Sequence, residues 1–295
     1  MLTLFTTPKP FKGQIAVAQR NALRSWTLLD PGVEVIVFGD DEGTAEACQE
    51  LNLRHEAHVE RDEFGVKILS YIFDRAQGIA RNDYVCFSNC DIILPSAFAR
   101  GLEQVMRWRS EFMMIGRRWD VDITEAIDFA NADWEQIWLE TALRSGRQRG
   151  TDWIDYFAFK RGLCKGLPPF AVGRPCWDLW TVWWMRHRHI PVVDASPVVL
   201  AVHQNHDYSH HPQGVKGVRE GKELLRNRAL AGSWRHLCTI EDASHVLGAG
   251  GVRRSYRHWG LQFQREWTHL RNRVLVATGP LRNRLGLHRR RAVGG

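Results

Sequence analysis

Short apolar runs alternate with amphipathic segments along the first 117 residues. The runs have the length of strands buried on both faces of a sheet, and they cover residues 2–7, 33–41, 53–55, 84–95 and 112–116. The segments between them have helical spacing and cover residues 15–29, 43–51, 65–80 and 96–108. This alternation of strand and helix predicts a doubly wound α/β fold with a mostly parallel sheet.

The regular alternation is lost after Gly116. Residues 117–129 are predicted to form an extended loop, and residues 166–175 a second loop rich in Pro and Gly. Helices are expected at residues 134–143 and 177–187, and strands at 153–159, 190–194 and 197–203. We expect one domain in two halves, 1–117 and 118–251, followed by a tail at 252–295.

Three carboxylates come at the ends of apolar runs. Asp40 and Asp41 end the second run, and Asp91 emerges within the fourth. Parallel strands place their carboxyl ends at one edge of a sheet, where α/β proteins bind ligands. Oxygen ligands at such an edge suit Mg²⁺ or Mn²⁺, whereas capping of the turn before Pro95 is the alternative role for Asp91. The sequence has no GxGxxG after the first strand and no GxxxxGK[ST], which disfavours a Rossmann dinucleotide site and a P-loop.

Histidines crowd the segment HQNHDYSHHP, which follows an apolar strand. His203, His206, His210 and His211 fall within ten residues, together with Asp207. This density favours a metal or phosphate site, with a solvated loop as the alternative. The spacing matches neither HExxH nor a zinc finger, so we expect one histidine to join a carboxylate-held metal.

Asp178 lies among four tryptophans in the segment GRPCWDLWTVWWM. Three of these, Trp177, Trp180 and Trp184, share one helical face, which is ordinary core packing. Asp178 is then either an acid in the first turn of a helix or a carboxylate delivered to a pocket. In a pocket it is suited to take a proton from an attacking hydroxyl.

The chain resembles the bacterial GT-A-like glycosyltransferases, of the nucleotide-diphospho-sugar transferase superfamily, over roughly residues 2–250. The resemblance is carried by five motifs: NxD, RWDxDxT, DYFxF, PPFxxGRPxWD and HQNHDYSH, at residues 89–91, 118–124, 155–159, 168–178 and 203–210. Asn89 stands where the first acid of a DxD motif is expected, which leaves Asp91 as the principal carboxylate. The resemblance implies a GT-A-like fold and transfer of a sugar from a nucleotide donor to an acceptor hydroxyl, with Mn²⁺ or Mg²⁺ as cofactor.

The resemblance also implies roles for individual residues. The nucleotide-sugar site would contain Thr6, Thr7, Asp40, Asn89 and Asp91, and the metal would be held by Asp91, His206 and His203. Asp178 would be the catalytic base of an inverting reaction. The residues expected to face the donor sugar or the acceptor are Arg118, Trp119, Asp120, Asp155, Tyr156, Arg174 and Trp177.

A nucleotide-sugar donor and a glycan or glycolipid acceptor are the expected partners, in the synthesis of bacterial surface glycans. Two other functions stay open. One is a non-catalytic protein that binds carbohydrate or nucleotide sugar on the same fold, which the substitution at Asn89 favours. The other is a nucleotidyltransferase, which the lack of a Gly-rich, Arg-containing loop after the first strand disfavours.

Charge is divided unequally along the chain. The net charge is +7, but residues 252–295 carry eleven arginines and one acid, a net of +10, which leaves −3 for residues 1–251. The tail also has an apolar stripe, formed by Trp259, Phe263, Trp267, Leu270 and Val274. A basic amphipathic helix favours an anionic membrane surface. Docking of residues 259–267 onto the domain is compatible with membrane contact by the arginines beyond, and nucleic acid is the least favoured partner.

The sequence predicts a cytoplasmic protein, located by its tail at the inner face of the membrane. Its first residues contain Pro8 and Pro10 where a signal peptide needs a continuous apolar run, and no run is long enough to span a bilayer. The six cysteines form no CxxC pair and are expected to be reduced.

Overall fold

A large mixed sheet forms the centre of the protein. The computed structural model describes residues 1–206, 221–257, 260, 261, 263 and 267. Its strands are β1 (Leu2–Thr6), β2 (Glu34–Phe38), β3 (Arg54–Glu56), β4 (Tyr84–Ser88), β5 (Ile92–Ile93), β6 (Met113–Ile115), β7 (Arg118–Val121), β8 (Arg147–Gln148), β9 (Tyr156–Lys160), β10 (Val192–Asp194), β11 (Ala201–Gln204), β12 (His245–Gly248) and β13 (Gly251–Arg254). Nine of these described strands pair in the order β13-β12-β10-β6-β9-β4-β1-β2-β3. All neighbours are parallel except β9, which is antiparallel to β4 and β6, and β13, which is antiparallel to β12.

Helices cover both faces of this sheet. They are α1 (Gly13–Thr27), α2 (Thr44–Glu50), α3 (Leu69–Ile79), α4 (Ser96–Trp108), α5 (Trp134–Ser145), α6 (Trp177–His187) and α7 (Lys222–Ala231). Alternate residues of β2 point to opposite faces of the sheet, and both faces are apolar. Val35 and Val37 pack with residues of α1, α2 and α4, whereas Ile36 and Phe38 pack with residues of α3 and α6. The predicted doubly wound, mostly parallel α/β fold is confirmed.

A second, four-stranded sheet includes a strand where a loop was predicted. Its order is β5-β11-β7-β8, and β7 falls within residues 117–129, so the prediction of an extended loop was wrong for residues 118–121. Strand β7 forms because polar and apolar residues alternate in the short segment RWDV. Trp119 and Val121 pack with a small apolar cluster, while Arg118 and Asp120 belong to an ion-pair network.

The other predicted elements are present with shifted ends. Helix α3 begins four residues later than expected, because Lys67 bridges to Arg61 and Ile68 bridges to Ala171 before the helix starts. Helix α7 and the hairpin β12–β13 were not predicted. The hairpin extends the sheet to Arg254, and the compact unit Met1–Ser255 ends four residues beyond the boundary expected at residue 251.

A second unit comprises Tyr256–Gly295. Most of the tail, including Trp259, Leu270 and Val274 of its apolar stripe, lies outside the described residues. Phe263 and Trp267 are described and are exposed. Among the described residues, no helix has both the length and the apolarity that crossing a bilayer requires.

Candidate functional site

The candidate site lies where β1 and β4 end side by side. From β1 the sheet order continues outward through β2 and β3, and the chain then returns to form β4 on the other side of β1. Such a reversal opens a crevice at the carboxyl ends of the strands, which is where α/β sheets bind ligands. Lys9 follows β1 and Asp91 follows β4, and their side chains meet there with Nζ 3.4 Å from Oδ2.

Asp91, His203 and His206 form a group that is able to hold a cation. Their ligand atoms all lie within 4.8 Å of one another, and Asp91 Oδ2 is 3.1 Å from His206 Nε2 and 3.9 Å from His203 Nε2. The two sheets bring them together: the residue after Asp91 begins β5, which pairs with β11 through Ile92 and His203. The buried Oδ1 of Asp91 has no hydrogen-bond partner among the described residues. One carboxylate and two imidazoles, with an orphaned buried oxygen, fit a divalent transition-metal ion.

Asp120 lies behind His203 in a close ion-pair contact that does not have the alignment of a hydrogen bond. His203 Nδ1 is 3.1 Å from Asp120 Oδ1, so the ring's other nitrogen, Nε2, faces Asp91. A carboxylate behind a histidine fixes the tautomer that leaves the outer nitrogen free to bind a metal. Burial acts to raise the pKa of Asp120, but His203, Arg118 and Arg149 outweigh burial and lower it to about 2.

A buried network of charges extends from Asp120 towards β9. Arg118 joins two carboxylates, with Nε 2.9 Å from Asp120 and one terminal nitrogen 2.9 Å from Asp155. The same guanidinium lies over the Trp153 ring, 4.5 Å from its centroid. This network supports the site from behind, so a contact of Arg118, Asp120 or Asp155 with sugar remains a prediction.

Asn89 is hydrogen-bonded to Asp155 and is not a member of the cation group. Its side-chain amide donates a hydrogen bond to Asp155 Oδ1, and its backbone N–H donates to the Asp155 carbonyl. The position of the first DxD acid is therefore used to hold β4 and the start of β9 together. Of the two motif positions, Asp91 is the one that contacts the histidines in the group described above.

Asp178 begins α6 close to Asp155. Burial raises the pKa of Asp178 to about 7, and the carboxylates of Asp155 and Asp152 act in the same direction, against the N–H groups at the helix start. The preceding Cys176 has φ +94°, a left-handed conformation that is strained for a residue with a side chain. The Oδ1 atom of Asp178 is buried and has no hydrogen-bond partner among the described residues. A carboxylate in this state is poised to accept a proton near neutral pH.

Comparison with known proteins gives structural neighbours only. No family model matches the chain, and no curated protein matches it. Solved structures that resemble it include nucleotide-sugar glycosyltransferases. One is a mannosyltransferase from Pyrobaculum calidifontis in complex with GDP-Man and Mn²⁺, with 13% identity, a TM-score of 0.48 and coverage of 78% of this chain and 63% of that one. Another is glucosyl-3-phosphoglycerate synthase from Mycobacterium tuberculosis with Mn²⁺, UDP and phosphoglyceric acid, with 14% identity, a TM-score of 0.46 and coverage of 79% and 78%.

The chain thus spans less than two thirds of the length of the mannosyltransferase. At these identities and TM-scores the likeness assigns neither a substrate nor an activity to this chain. Its chemistry has to be argued from its own residues.

The predicted nucleotide residues are placed at the ends of β1 and β2. Thr6 is fully buried, and the hydroxyl of Thr7 is 2.9 Å from Lys67 Nζ. Asp40 is exposed, and its hydrogen bond with Arg61 lowers the pKa of Asp40. Asp41 forms an ion pair with the buried Lys67. Their contact with a nucleotide stays a prediction.

Three residues expected to face sugar instead pack with apolar side chains. Tyr156 is fully buried against Phe98, and Trp177 packs in the core against Phe87 and other rings of the large sheet. Both rings are part of the packed core, and their contact with a sugar stays a prediction. Trp119 is partly buried against the small apolar cluster of the second sheet.

Arg174 lies just before α6, and its terminal nitrogen is 3.9 Å from Glu223 of α7. His210, His211 and Asp207 lie outside the described residues.

Two lysines at the site were missed from the sequence. Lys9 contacts Asp91 and His206, and Lys67 ties the Thr7–Pro8 segment to Asp41. The available signal was position: Lys9 comes three residues after β1 ends, at the edge where Asp40, Asp41 and Asp91 were already expected. A surplus of acids at one edge implies that some of them are paired with nearby cations.

Proposed function

We propose that the protein is a metal-assisted glycosyltransferase that moves a sugar from a nucleoside diphosphate donor to an acceptor hydroxyl. The observation that carries this proposal is the Asp91–His203–His206 group at the crevice between β1 and β4. A cation held there supplies positive charge to the diphosphate leaving group. The imidazole ligands favour Mn²⁺ over Mg²⁺, because nitrogen ligands suit transition metals.

Asp178 is proposed to act as the general base. The acceptor hydroxyl attacks the anomeric carbon, the bond from that carbon to the diphosphate oxygen breaks, and the hydroxyl proton passes to Asp178. The nucleoside diphosphate leaves with the electron pair of the broken bond. Attack opposite the leaving group inverts the anomeric centre. The pKa of about 7 supports this role, since an effective base has a pKa near the working pH.

Binding of a nucleoside diphosphate tests the cation role. We expect calorimetry to show tighter binding when Mn²⁺ is added, and Asp91→Ala to abolish that gain. The surface variant Lys12→Met is a matched control, because Lys12 pairs with Glu42 at the protein surface. Equal binding with and without Mn²⁺ in the wild type and in Asp91→Ala would remove the metal from the proposal.

Transfer itself is tested with a panel of nucleotide sugars in the presence of Mn²⁺. We expect slow hydrolysis of one donor, with water replacing the acceptor. A donor that binds and is not hydrolysed would favour the non-catalytic alternative, for which Asn89 in place of an acid is the supporting observation. Release of pyrophosphate from a sugar phosphate and a nucleoside triphosphate would instead indicate a nucleotidyltransferase.

The basic tail is proposed to contact an anionic membrane, where a glycolipid or growing surface glycan would be the acceptor. The net charge of +10 over residues 252–295 supports this proposal, since each basic residue near such a surface contributes about 1 kcal/mol. Charge reversal at Arg289, Arg290 and Arg291 should reduce sedimentation with anionic vesicles and leave neutral vesicles unaffected. Equal sedimentation of both forms with both vesicles would contradict membrane binding.

A further inference from the structure

Lys9 places an ammonium group inside the cation site. Its Nζ is 2.9 Å from His206 Nε2 and 3.4 Å from Asp91 Oδ2, while these two atoms are themselves 3.1 Å apart. Two of the three groups that would hold a metal ion therefore face the same side-chain cation. Lys9 contributes to the charge balance of the site in the structure described here.

The geometry around His206 favours a positive charge at this point. A single ring nitrogen either donates a proton or accepts one. If Nε2 accepts from Lys9, it faces the Asp91 oxygen with a lone pair, and that approach is favourable only because a cation lies beside both atoms. In either form of His206, the Lys9 ammonium lies beside both atoms, at the place where a metal ion held by Asp91 and His206 would lie.

The position of Lys9 is fixed by its own backbone. The side chain of Gln19, which is buried, accepts a hydrogen bond from the Lys9 N–H and donates one to the Lys9 carbonyl, at 2.7 and 2.9 Å. Lys67 Nζ donates to the carbonyl of Pro8 at 2.7 Å. This clamp holds the chain after β1 against the crevice, so the contact of Lys9 with Asp91 is not that of a freely moving surface lysine.

The Lys9 side chain nevertheless has room to move. It is 32% exposed, in contrast to 12% for Asp91 and 6% for His206. A metal ion that binds Asp91 and His206 would repel the ammonium and displace it from both. The nearest new counter-charge would be the diphosphate of a donor bound to the same metal.

We propose that Lys9 competes with the divalent cation for Asp91 and His206 and, once displaced, binds the phosphate oxygens of the donor. This inference rests on the proposed function for the identity of the donor, but its first half concerns the metal ion alone. It makes Lys9 a residue that couples the two ligands: metal binding frees the ammonium, and the diphosphate then gives it a partner. Metal and donor should consequently bind more tightly together than the metal binds alone.

Two titrations of Lys9→Met test the two halves, because methionine keeps most of the length of lysine and removes its charge. With Mn²⁺ alone, calorimetry should show about tenfold tighter binding than in the wild type, since the competing ammonium is gone. With UDP or GDP in saturating Mn²⁺, binding should be about tenfold weaker or more, since a charge-assisted contact is lost. Lys12→Met should change neither affinity.

Opposite changes in affinity for Mn²⁺ and for the nucleoside diphosphate distinguish the proposal from a purely structural role of Lys9. Weaker or unchanged Mn²⁺ binding in Lys9→Met would overturn the competition, and unchanged nucleoside diphosphate binding would overturn the contact with phosphate. Diphosphate binding that needs Lys9 but is insensitive to Mn²⁺ in the wild type would show that the lysine replaces the metal, which also contradicts the proposal. None of these outcomes depends on turnover, so a failure of glycosyl transfer is separable from a failure of the Lys9 inference.

Discussion

Asp91 and Asp178 are both carboxylates removed from bulk water, but their surroundings shift their pKa values in opposite directions. At the end of β4, burial acts to raise the pKa of Asp91, yet Lys9, His203 and His206 hold it well below its usual range. At the start of α6, burial raises the pKa of Asp178 to about 7, and the nearest charged groups that act on it are other carboxylates. Burial pushes both groups the same way, so the sign of the charge nearby decides the outcome.

This difference divides the chemistry between the two carboxylates. Two titratable groups pushed apart by their environments are a reliable guide to which one holds charge and which one moves a proton. Asp91 stays ionised at any physiological pH and is suited to hold a cation. Asp178 changes protonation near neutrality and is suited to accept a proton. Asp155 is connected to both sites, because it pairs with Arg118 behind the cation group and also raises the pKa of Asp178.

Asp178→Asn should have the largest effect on turnover. Loss of a general base costs about 10²- to 10⁴-fold, while asparagine keeps the shape of the side chain, so donor affinity and folding should be maintained. Steady-state and donor-binding measurements on the same preparation check this. Asp152→Asn, measured at pH 8, is the matched control, because it removes a carboxylate that raises the pKa of Asp178 and leaves the base in place and ionised. Should turnover per folded molecule survive in Asp178→Asn while stability falls, Asp178 would be an acid of the helix start only.

Asp120→Asn should weaken metal binding by the Asp91–His203–His206 group and leave proton transfer to Asp178 intact. Partners of metal-binding histidines typically contribute 10- to 100-fold in metal affinity, because they fix the tautomer and the ring orientation. We expect a loss of this size in the affinity for Mn²⁺, measured by calorimetry. The pH dependence of turnover at saturating Mn²⁺ should not move. Unchanged Mn²⁺ affinity would show that Asp120 serves only the ion pairs with Arg118 and Arg149.

The pKa of Asp178 predicts a pH dependence with a definite sign. Only the ionised form accepts a proton, so turnover should be about tenfold lower at pH 6 than at pH 8 and should level off above pH 7. Stability should move the opposite way. The folded state keeps a proton that the unfolded chain has already lost, so stability falls as pH rises from about 4 to about 7, and Asp178→Asn should remove this loss.

Thermal denaturation measured as a function of pH checks the trend in stability, and the pH profile of turnover checks the trend in rate. A flat rate profile would separate Asp178 from the chemical step.

The regular first half of the fold could be predicted from the sequence, whereas the irregular second half could be predicted only in part. The first half was predicted element by element, because β1, β2 and β4 are apolar runs with helices between them. The second sheet was missed because β5 has two residues and β7 four, too few for periodicity to distinguish a strand from a loop.

The candidate site was predicted in part for a related reason. Asp91, His203 and His206 were found because strand ends and dense histidines are visible in a sequence. Lys9, Lys67 and the support of His203 by Asp120 depend on which residues face each other across two sheets. No spacing along the chain encodes that pairing. The burial of Tyr156, inside a motif that resembles a sugar site, is likewise a property of the packed fold.

Asn89→Asp should have the smallest effect on the cation site, although it restores the DxD pattern. The Asn89 side chain is hydrogen-bonded to Asp155, so a carboxylate there would meet Asp155. We expect the affinity for Mn²⁺ to change by no more than about threefold, since the new charge is not a ligand. Stability should fall by about 1–3 kcal/mol, because Asp155 loses a donor and gains a like charge. Asn89→Ala separates these two causes, as it removes the donor without adding charge. A gain of tenfold or more in Mn²⁺ affinity would show that residue 89 turns towards the metal, and Asp91 would then share the role that the comparison assigns to it alone.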